Sequence, residues 1–324
     1  MKPKQLVPCI ALVFGLIALW LVVLQFLPRP VEANWIKGIY RKKELAAQSI
    51  AGPKALIIGG SGSHFSYSAG LISEITGLPV VNLATHGGLG GEYLLRRARR
   101  SLKPGDTAIL ALEYQLIVWS KPSALLATYV ATNDRRYLVS APLRDLPALI
   151  FGYSPVQIVR EAAATVIPWR SPLYRVEAVT SFGDESANTP ENKQPYMADT
   201  VRAHPGLSAI RIDPTKPGSY LVEFAEWAKK NDIRLLQAWP VTTFRPKYLT
   251  PEFASYFDRF VVMYRRLGFE VLGKPESFFL PEDEMLDSLY HADSVGAARA
   301  SRALATELCR VTDCPKGPAL ISKQ

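Results

Sequence analysis

The stretch Lys54–Gly91, KALIIGGSGSHFSYSAGLISEITGLPVVNLATHGGLGG, leaves this chain few ways to fold. An apolar run, Ala55–Ile58, breaks into a turn of small residues, Gly59-Gly60-Ser61-Gly62-Ser63. Tyr67–Thr76 reads as a helix, ended by Gly77 and Pro79. A second apolar run, Val80–Ala84, leads into Thr85-His86-Gly87-Gly88. Strand, turn, helix, strand and turn make a βαβ unit. Parallel strands bring their carboxyl-end loops to one edge of the sheet, where ligands bind in open α/β folds. Both glycine-rich turns are therefore expected to face one crevice.

The same rhythm extends beyond this unit. Gly91–Leu102 reads as a helix closed by Lys103-Pro104-Gly105-Asp106, and Thr107–Leu112 as a third buried strand. The cluster Arg96, Arg97, Arg99 and Arg100 in that helix reads as a solvated face or a contact for an anionic polymer or partner. From about Ile117 to Tyr220 prolines and aromatics interrupt the pattern, which suggests an insertion. Within it Asp184–Pro195 is polar and reads as a mobile loop. The rhythm returns with a helix over Tyr220–Asn231 and a strand over Ile233–Ala238. A helix then runs from Thr250-Pro251-Glu252 to about Leu267, with Pro in its first turn. Phe269–Leu272 is the fifth strand, and Ala297–Leu308 is an amphipathic closing helix.

Ser61 falls where the first strand ends, so its hydroxyl can enter the crevice. Nearby backbone N–H groups, with those of Gly87 and Gly88, can point at a developing oxyanion. At the far end of the chain Asp287-Ser-Leu-Tyr-His291 precedes the last helix. Serine, histidine and aspartate are the parts of a hydrolase triad, in which Ser61 attacks, His291 takes its proton and Asp287 orients the imidazole. Ser63 is the alternative nucleophile. His86 is placed either to contact substrate or to support its turn. His64 reads as a helix start, and His204, in RAHPG, as a surface or structural residue.

These blocks resemble the SGNH (GDSL-like) hydrolase superfamily, and within it the membrane-anchored branch that works beside membrane-bound O-acyltransferases, the DltD-like and alginate-acetylation-like proteins. Ser61 in IIGGS matches the nucleophile block usually written G-D-S, with Gly60 in place of the Asp. Gly87 in NLATHG matches the glycine of the second block. The third block, normally an Asn after a strand, falls at ALEYQ, where Glu113, Tyr114 or Gln115 takes its place. Glu113 reads equally well as a buried carboxylate paired with an Arg or a Tyr. Asp287 and His291 match the last block with three residues between them where the common pattern has two. The resemblance covers about residues 54–116 and 230–310. It implies an α/β fold, a three-layer α/β/α flavodoxin-like domain with a mostly parallel sheet, preceded by one N-terminal transmembrane helix. It also implies acyl transfer through a Ser61 acyl-enzyme to a carbohydrate hydroxyl of a cell-envelope polymer or exopolysaccharide, without a cofactor or metal, with a membrane-bound O-acyltransferase as partner. A carbohydrate esterase or deacetylase with the same triad, or a non-catalytic SGNH-like partner subunit, are the alternatives.

Composition matters for compartment. Leu6–Leu27, LVPCIALVFGLIALWLVVLQFL, is uncharged and long enough, at about 1.5 Å per residue, for the roughly 30 Å hydrocarbon core. It is longer than a signal-peptide core. The expected organisation is an anchor over 1–30, a juxtamembrane amphipathic helix and linker over 31–52, a domain over 53–316 with its insertion about 117–220, and a tail over 317–324. Lys2 and Lys4 precede the anchor; Arg29, Lys37, Arg41, Lys42 and Lys43 follow it. That count alone would keep the carboxyl side in the cytoplasm. Most of the second group starts some way past the membrane, where it can sit on anionic headgroups, and the family places the domain on the periplasmic side of the inner membrane. A net charge of +9 suits lipid headgroups or acidic polysaccharide; no nucleic-acid motif accompanies it. In an oxidising compartment Cys309 and Cys314 would pair as a disulfide.

Overall fold

The computed structural model describes residues 3–26, 31–118, 121–152, 173–209 and 212–314. Its strands are β1 (Ala55–Ile58), β2 (Val80–Asn82), β3 (Thr107–Leu110), β4 (Arg234–Gln237), β5 (Thr242–Thr243), β6 (Glu270–Val271) and β7 (Phe279–Leu280). Five of them form one parallel sheet in the order β2-β1-β3-β4-β6, and β5 and β7 form a small parallel pair. The chain is thus α/β with a parallel central sheet, and its strand order is the flavodoxin-like one.

The strands are short, yet β1 and β2 are buried throughout. Leu56 lies beside Val81 on one side and Ala108 on the other, and Ile109 faces Leu236. Runs that are apolar on both faces survive only when both faces are covered. The chain leaves β1 for β2 in one direction, then crosses back over β1 to β3. Right-handed crossovers therefore put the connecting helices Ala69–Thr76 and Gly91–Ala98 on opposite faces. The closing helix Ser294–Val311 packs on the first of these, and the Ser219–Lys230 helix on the second. At the amino ends of β1 and β3, Lys54 and Asp106 form a buried ion pair at 2.6 Å, and Asp106 also accepts the Lys54 and Lys103 amides. The strands' amino ends are clamped, while their carboxyl ends carry the glycine turns.

The chain divides into two compact units. One comprises Met1–Lys37 with Lys121–Arg170; the other comprises Gly38–Ser120 with Ser171–Gln324. The division falls inside one helix, Val31–Ser49. The second unit holds the sheet. The first holds the Pro3–Phe26 helix and the helices Ala124–Asn133, Tyr137–Ser140 and Leu146–Phe151. Trp20 Nε1 donates to the Ile150 carbonyl at 2.9 Å, and Asn133 Nδ2 to that of Ala33 at 3.4 Å. Among the described residues no helix is both long and apolar enough to cross a membrane. Several side chains of the Leu6–Leu27 run, and the tail 317–324, lie outside the described residues.

Some expectations change. The helix expected over Tyr67–Thr76 begins at Ala69, because the Ser68 hydroxyl accepts from Leu71 N–H and caps it there, and the small-residue turn runs on into a further short helix, Ser61–Ser66. Asp184–Pro195 is not a loose loop. Asp184, Glu185 and Asn188 are all buried. The Asp184 carboxylate accepts from Ala69 N–H, Gly70 N–H and the Ser68 hydroxyl, so it caps the second helix from a distance. The arginine cluster is not a bare cationic face. Arg97 makes a two-pronged ion pair with Glu44 and stacks over Tyr40; Arg96 pairs with Glu92 and Glu223; Arg99 lies over Phe224 and Trp227. Cys309 and Cys314 are joined by a disulfide at the end of the last helix.

Candidate active site

Gly59 and Gly60 end the first strand, and Ser61 heads the short Ser61–Ser66 helix. As the first helical amide, the Ser61 N–H has no acceptor within its own helix. The Ser61 side chain is half-buried, and among the described residues nothing hydrogen-bonds its hydroxyl. Ser63 differs in both respects. It is fully buried, and its hydroxyl donates to the Ala111 carbonyl at 2.5 Å. The folded chain therefore separates the two serines by exposure, and Ser61 is the one a ligand can reach.

The loop bearing Asp287 and His291 lies along this helix. The Ser66 hydroxyl donates to Tyr290 O at 2.8 Å and accepts from Ala292 N–H at 2.9 Å. The Phe65 and His291 rings have centroids 4.7 Å apart. A Cβ on Gly62 would sit 3.0 Å from Tyr290 Cβ, so the two backbones run close. His291 Nδ1 and Asp287 Oδ1 are 2.6 Å apart. That bond holds the proton on Nδ1 and leaves the Nε2 lone pair free to accept one. Burial works to raise the Asp287 carboxyl, but the facing His291 and their hydrogen bond outweigh it, and the group sits below its ordinary value. His291 Nε2 has no hydrogen bond among the described residues.

The remaining sequence-derived residues gather at the same edge, in roles the sequence does not reveal. Gly60 and Gly87 touch: a Cβ on Gly60 would lie 2.7 Å from Gly87 Cα. The Gly88 N–H is taken up by His86 Nδ1 at 3.0 Å, so His86 braces its own turn. Glu113 is buried, and its carboxylate accepts the Gly60 N–H at 3.0 Å and the Gly62 N–H at 2.8 Å. It therefore acts as an acceptor that fixes the Gly59–Ser63 turn, not as a donor. Tyr114 is fully buried in an aromatic cluster with Trp239, Tyr256, Phe257 and Phe260. Gln115 is half-buried, and its Oε1 accepts the Tyr290 hydroxyl at 2.7 Å. Burial first, and then the Glu113 charge, keep that phenol protonated, so it acts as the donor. With Oε1 engaged, the Gln115 amide has its N–H₂ to offer. A groove of about 630 Å³ between Lys229, Arg234 and Arg266 lies at the amino ends of β4 and β6, away from all these groups.

Sequence reading missed the groups that hold the site together. Asn82 Nδ2 donates to Ser63 O at 3.0 Å and Tyr67 O at 2.8 Å, tying β2 to the Ser61–Ser66 helix. Asn188 Nδ2 bridges Phe65 O at 2.7 Å and Ala292 O at 3.3 Å, joining that helix to the far side of His291. Its loss leaves two buried carbonyls short of a partner. Asn188→Ala is expected to lower stability by about 1–3 kcal/mol, measured by urea unfolding.

Beneath the helix lies a buried ionisable cluster. His64 Nε2 is 3.2 Å from Glu185 Oε2, and Lys43 Nζ donates to Asn82 O at 3.0 Å. Burial pulls Lys43 from its ordinary 10.5 down to about 7, against the opposing pull of Asp184 and Glu185. Burial and then Lys43 lower His64 to about 4, with Glu185 opposing. Between pH 7 and 10.5 the unfolded chain keeps a Lys43 proton that the folded one has lost, so stability rises with pH there. Between pH 6.5 and 4 the unfolded chain gains a His64 proton that the folded one refuses, so stability falls with acid. Lys43→Met should flatten the slope of unfolding free energy against pH above 7, and it should also shorten the acid limb, because the Lys43 charge no longer holds His64 down.

A scan of protein-family models, a search of curated proteins and a search of solved structures each found no match to this chain.

Proposed function

We propose that this protein is a membrane-tethered, SGNH-like serine acyltransferase that places an acyl group on a carbohydrate hydroxyl. Its domain would stand on the periplasmic side of the inner membrane, tethered by Leu6–Leu27. The observation that carries the reading is the 2.6 Å Asp287–His291 bond in a loop laid along the helix that Ser61 heads. In this reading His291 Nε2 takes the Ser61 proton as Ser61 Oγ attacks the acyl carbonyl. The oxyanion meets the Ser61 and Gly87 N–H groups and the Gln115 amide. Collapse expels the donor's leaving group, which takes the proton from His291. The acceptor hydroxyl then attacks the acyl-Ser61 ester, and His291 serves again as base. The acceptor is a cell-envelope polymer or exopolysaccharide, and a membrane-bound O-acyltransferase is the partner that would supply the acyl group.

The test is to incubate the full-length protein in detergent with an activated acyl ester, with and without oligosaccharide. Ester on the sugar supports transfer; free acid alone means an esterase. A second reading is favoured by Glu113. A carboxylate on the Gly60 and Gly62 amides puts negative charge where an oxyanion hole wants positive ends of dipoles, which suits a non-catalytic partner subunit. Absence of both products from folded protein would establish that reading.

A further inference from the structure

Among its described residues the first unit carries large apolar side chains that stay exposed. Between Lys121 and Gly152, Leu126, Tyr137 and Leu149 turn inward and are buried. Val139, Leu143 and Phe151 do not; they are 92%, 83% and 55% exposed. They come from three consecutive short elements, the Tyr137–Ser140 helix, the turn Leu143–Asp145 and the Leu146–Phe151 helix. A single exposed leucine is ordinary. Three large apolar side chains left in water so close in the chain are more than that scatter.

Two observations identify what covers them. The first is continuity with the long apolar helix of the same unit. Trp20 on Pro3–Phe26 is bonded to the Ile150 carbonyl, next to Phe151. That helix leaves Leu12, Val13, Phe14, Leu16, Leu19 and Val22 exposed by 51% to 67%. The second is charge. Arg135, Arg136 and Arg144 are exposed in this segment, while its acids, Asp134 and Asp145, are buried. Arg144 lies 3.7 Å from Asp145 and Arg135 Nε bonds the Ala131 carbonyl, yet both side chains stay in solvent. Arginines beside outward apolar side chains, with the acids turned in, make an interfacial surface. Such cations are drawn to an anionic leaflet.

We propose that residues 135–151 form a foot that rests in the headgroup region of an anionic lipid bilayer. Val139, Leu143 and Phe151 dip toward the acyl chains, and Arg135, Arg136 and Arg144 hold lipid phosphates. The proposal rests on the reading of Leu6–Leu27 as a tether. It adds that the first unit lies on the leaflet and does not hang from the helix alone.

The test uses the full-length protein, with Cys9→Ser removing the third cysteine and the Cys309–Cys314 disulfide intact. Leu143→Cys, Val139→Cys and Leu12→Cys variants are each labelled with an environment-sensitive fluorophore and reconstituted into phosphatidylglycerol-containing vesicles. Nitroxide lipids quench from a shallow or a deep position, and iodide quenches from water. The expected result is loss of emission at 139 and 143 with the shallow nitroxide, protection there from iodide, and loss at 12 with the deep one. Arg135→Glu/Arg136→Glu/Arg144→Glu should restore iodide access at 143 but leave the label at 12 quenched. If 12 is quenched while 143 stays open to iodide, the foot is refuted and the tether stands. If 143 is shielded from iodide yet untouched by either nitroxide, a protein covers the patch and the lipid proposal is refuted. If neither 12 nor 143 is quenched by lipid, the tether fails and the foot fails with it.

Discussion

A Ser61→Ala chain is expected to take no label from a fluorophosphonate probe, and its acyl transfer should fall by about 10⁴-fold or more. That corresponds to about 5.5 kcal/mol of transition-state stabilisation. The expectation follows from position. Ser61 heads its helix half-exposed, with its hydroxyl unbonded among the described residues. His291→Ala should lose activity on the same scale, because the proton would have nowhere to go. Asp287→Asn should fold normally and still lose most activity, since a neutral amide no longer stabilises the imidazolium and its N–H₂ can donate to Nδ1, which favours the wrong tautomer. Ser63→Ala separates chemistry from packing. Its hydroxyl only ties the turn to Ala111 O, so the variant should label like the parent while losing about 1 kcal/mol of stability. Labelling that persists in Ser61→Ala, or never occurs in folded parent protein, would end the serine-enzyme reading.

Gly60→Asp should unfold or severely destabilise the domain, by about 3 kcal/mol or more. Even a bare Cβ at Gly60 would lie 2.5 and 2.6 Å from the two Glu113 oxygens and 2.7 Å from Gly87 Cα. A carboxylate there would add like charge in a buried place. The physical point is that Glu113 already occupies the space that an Asp side chain at 60 would need. The carboxylate that steadies this turn comes from just past the third strand. Gly60→Asp combined with Glu113→Asn should therefore recover part of the loss. Melting temperatures of the parent, both single variants and the double variant form a cycle that measures the coupling. Additive losses would mean that the two positions do not share the space.

Much of the sheet was readable directly. Ala55–Ile58, Val80–Asn82 and Thr107–Leu110 are short runs bounded by glycine and proline, and burial on both faces imposes that pattern on any parallel strand. The closing helix and the disulfide were equally local signals. The insertion was harder. Its polar stretch, Asp184–Asn188, has the composition of a loop, but its side chains serve backbone groups more than a hundred residues away, at Ala69, Gly70, Phe65 and Ala292.

The sequence by itself determined the order of strands and turns and the pool of reactive side chains, because helix and strand periods and turn residues act over a few neighbours. Only the tertiary structure decided what each polar group does. It kept Ser61 open and closed off Ser63, turned Glu113 into an acceptor for the nucleophile turn, and buried Lys43 beside Asp184 and Glu185. A buried donor or acceptor must find a partner wherever the fold brings one, and that distance in sequence leaves no local trace.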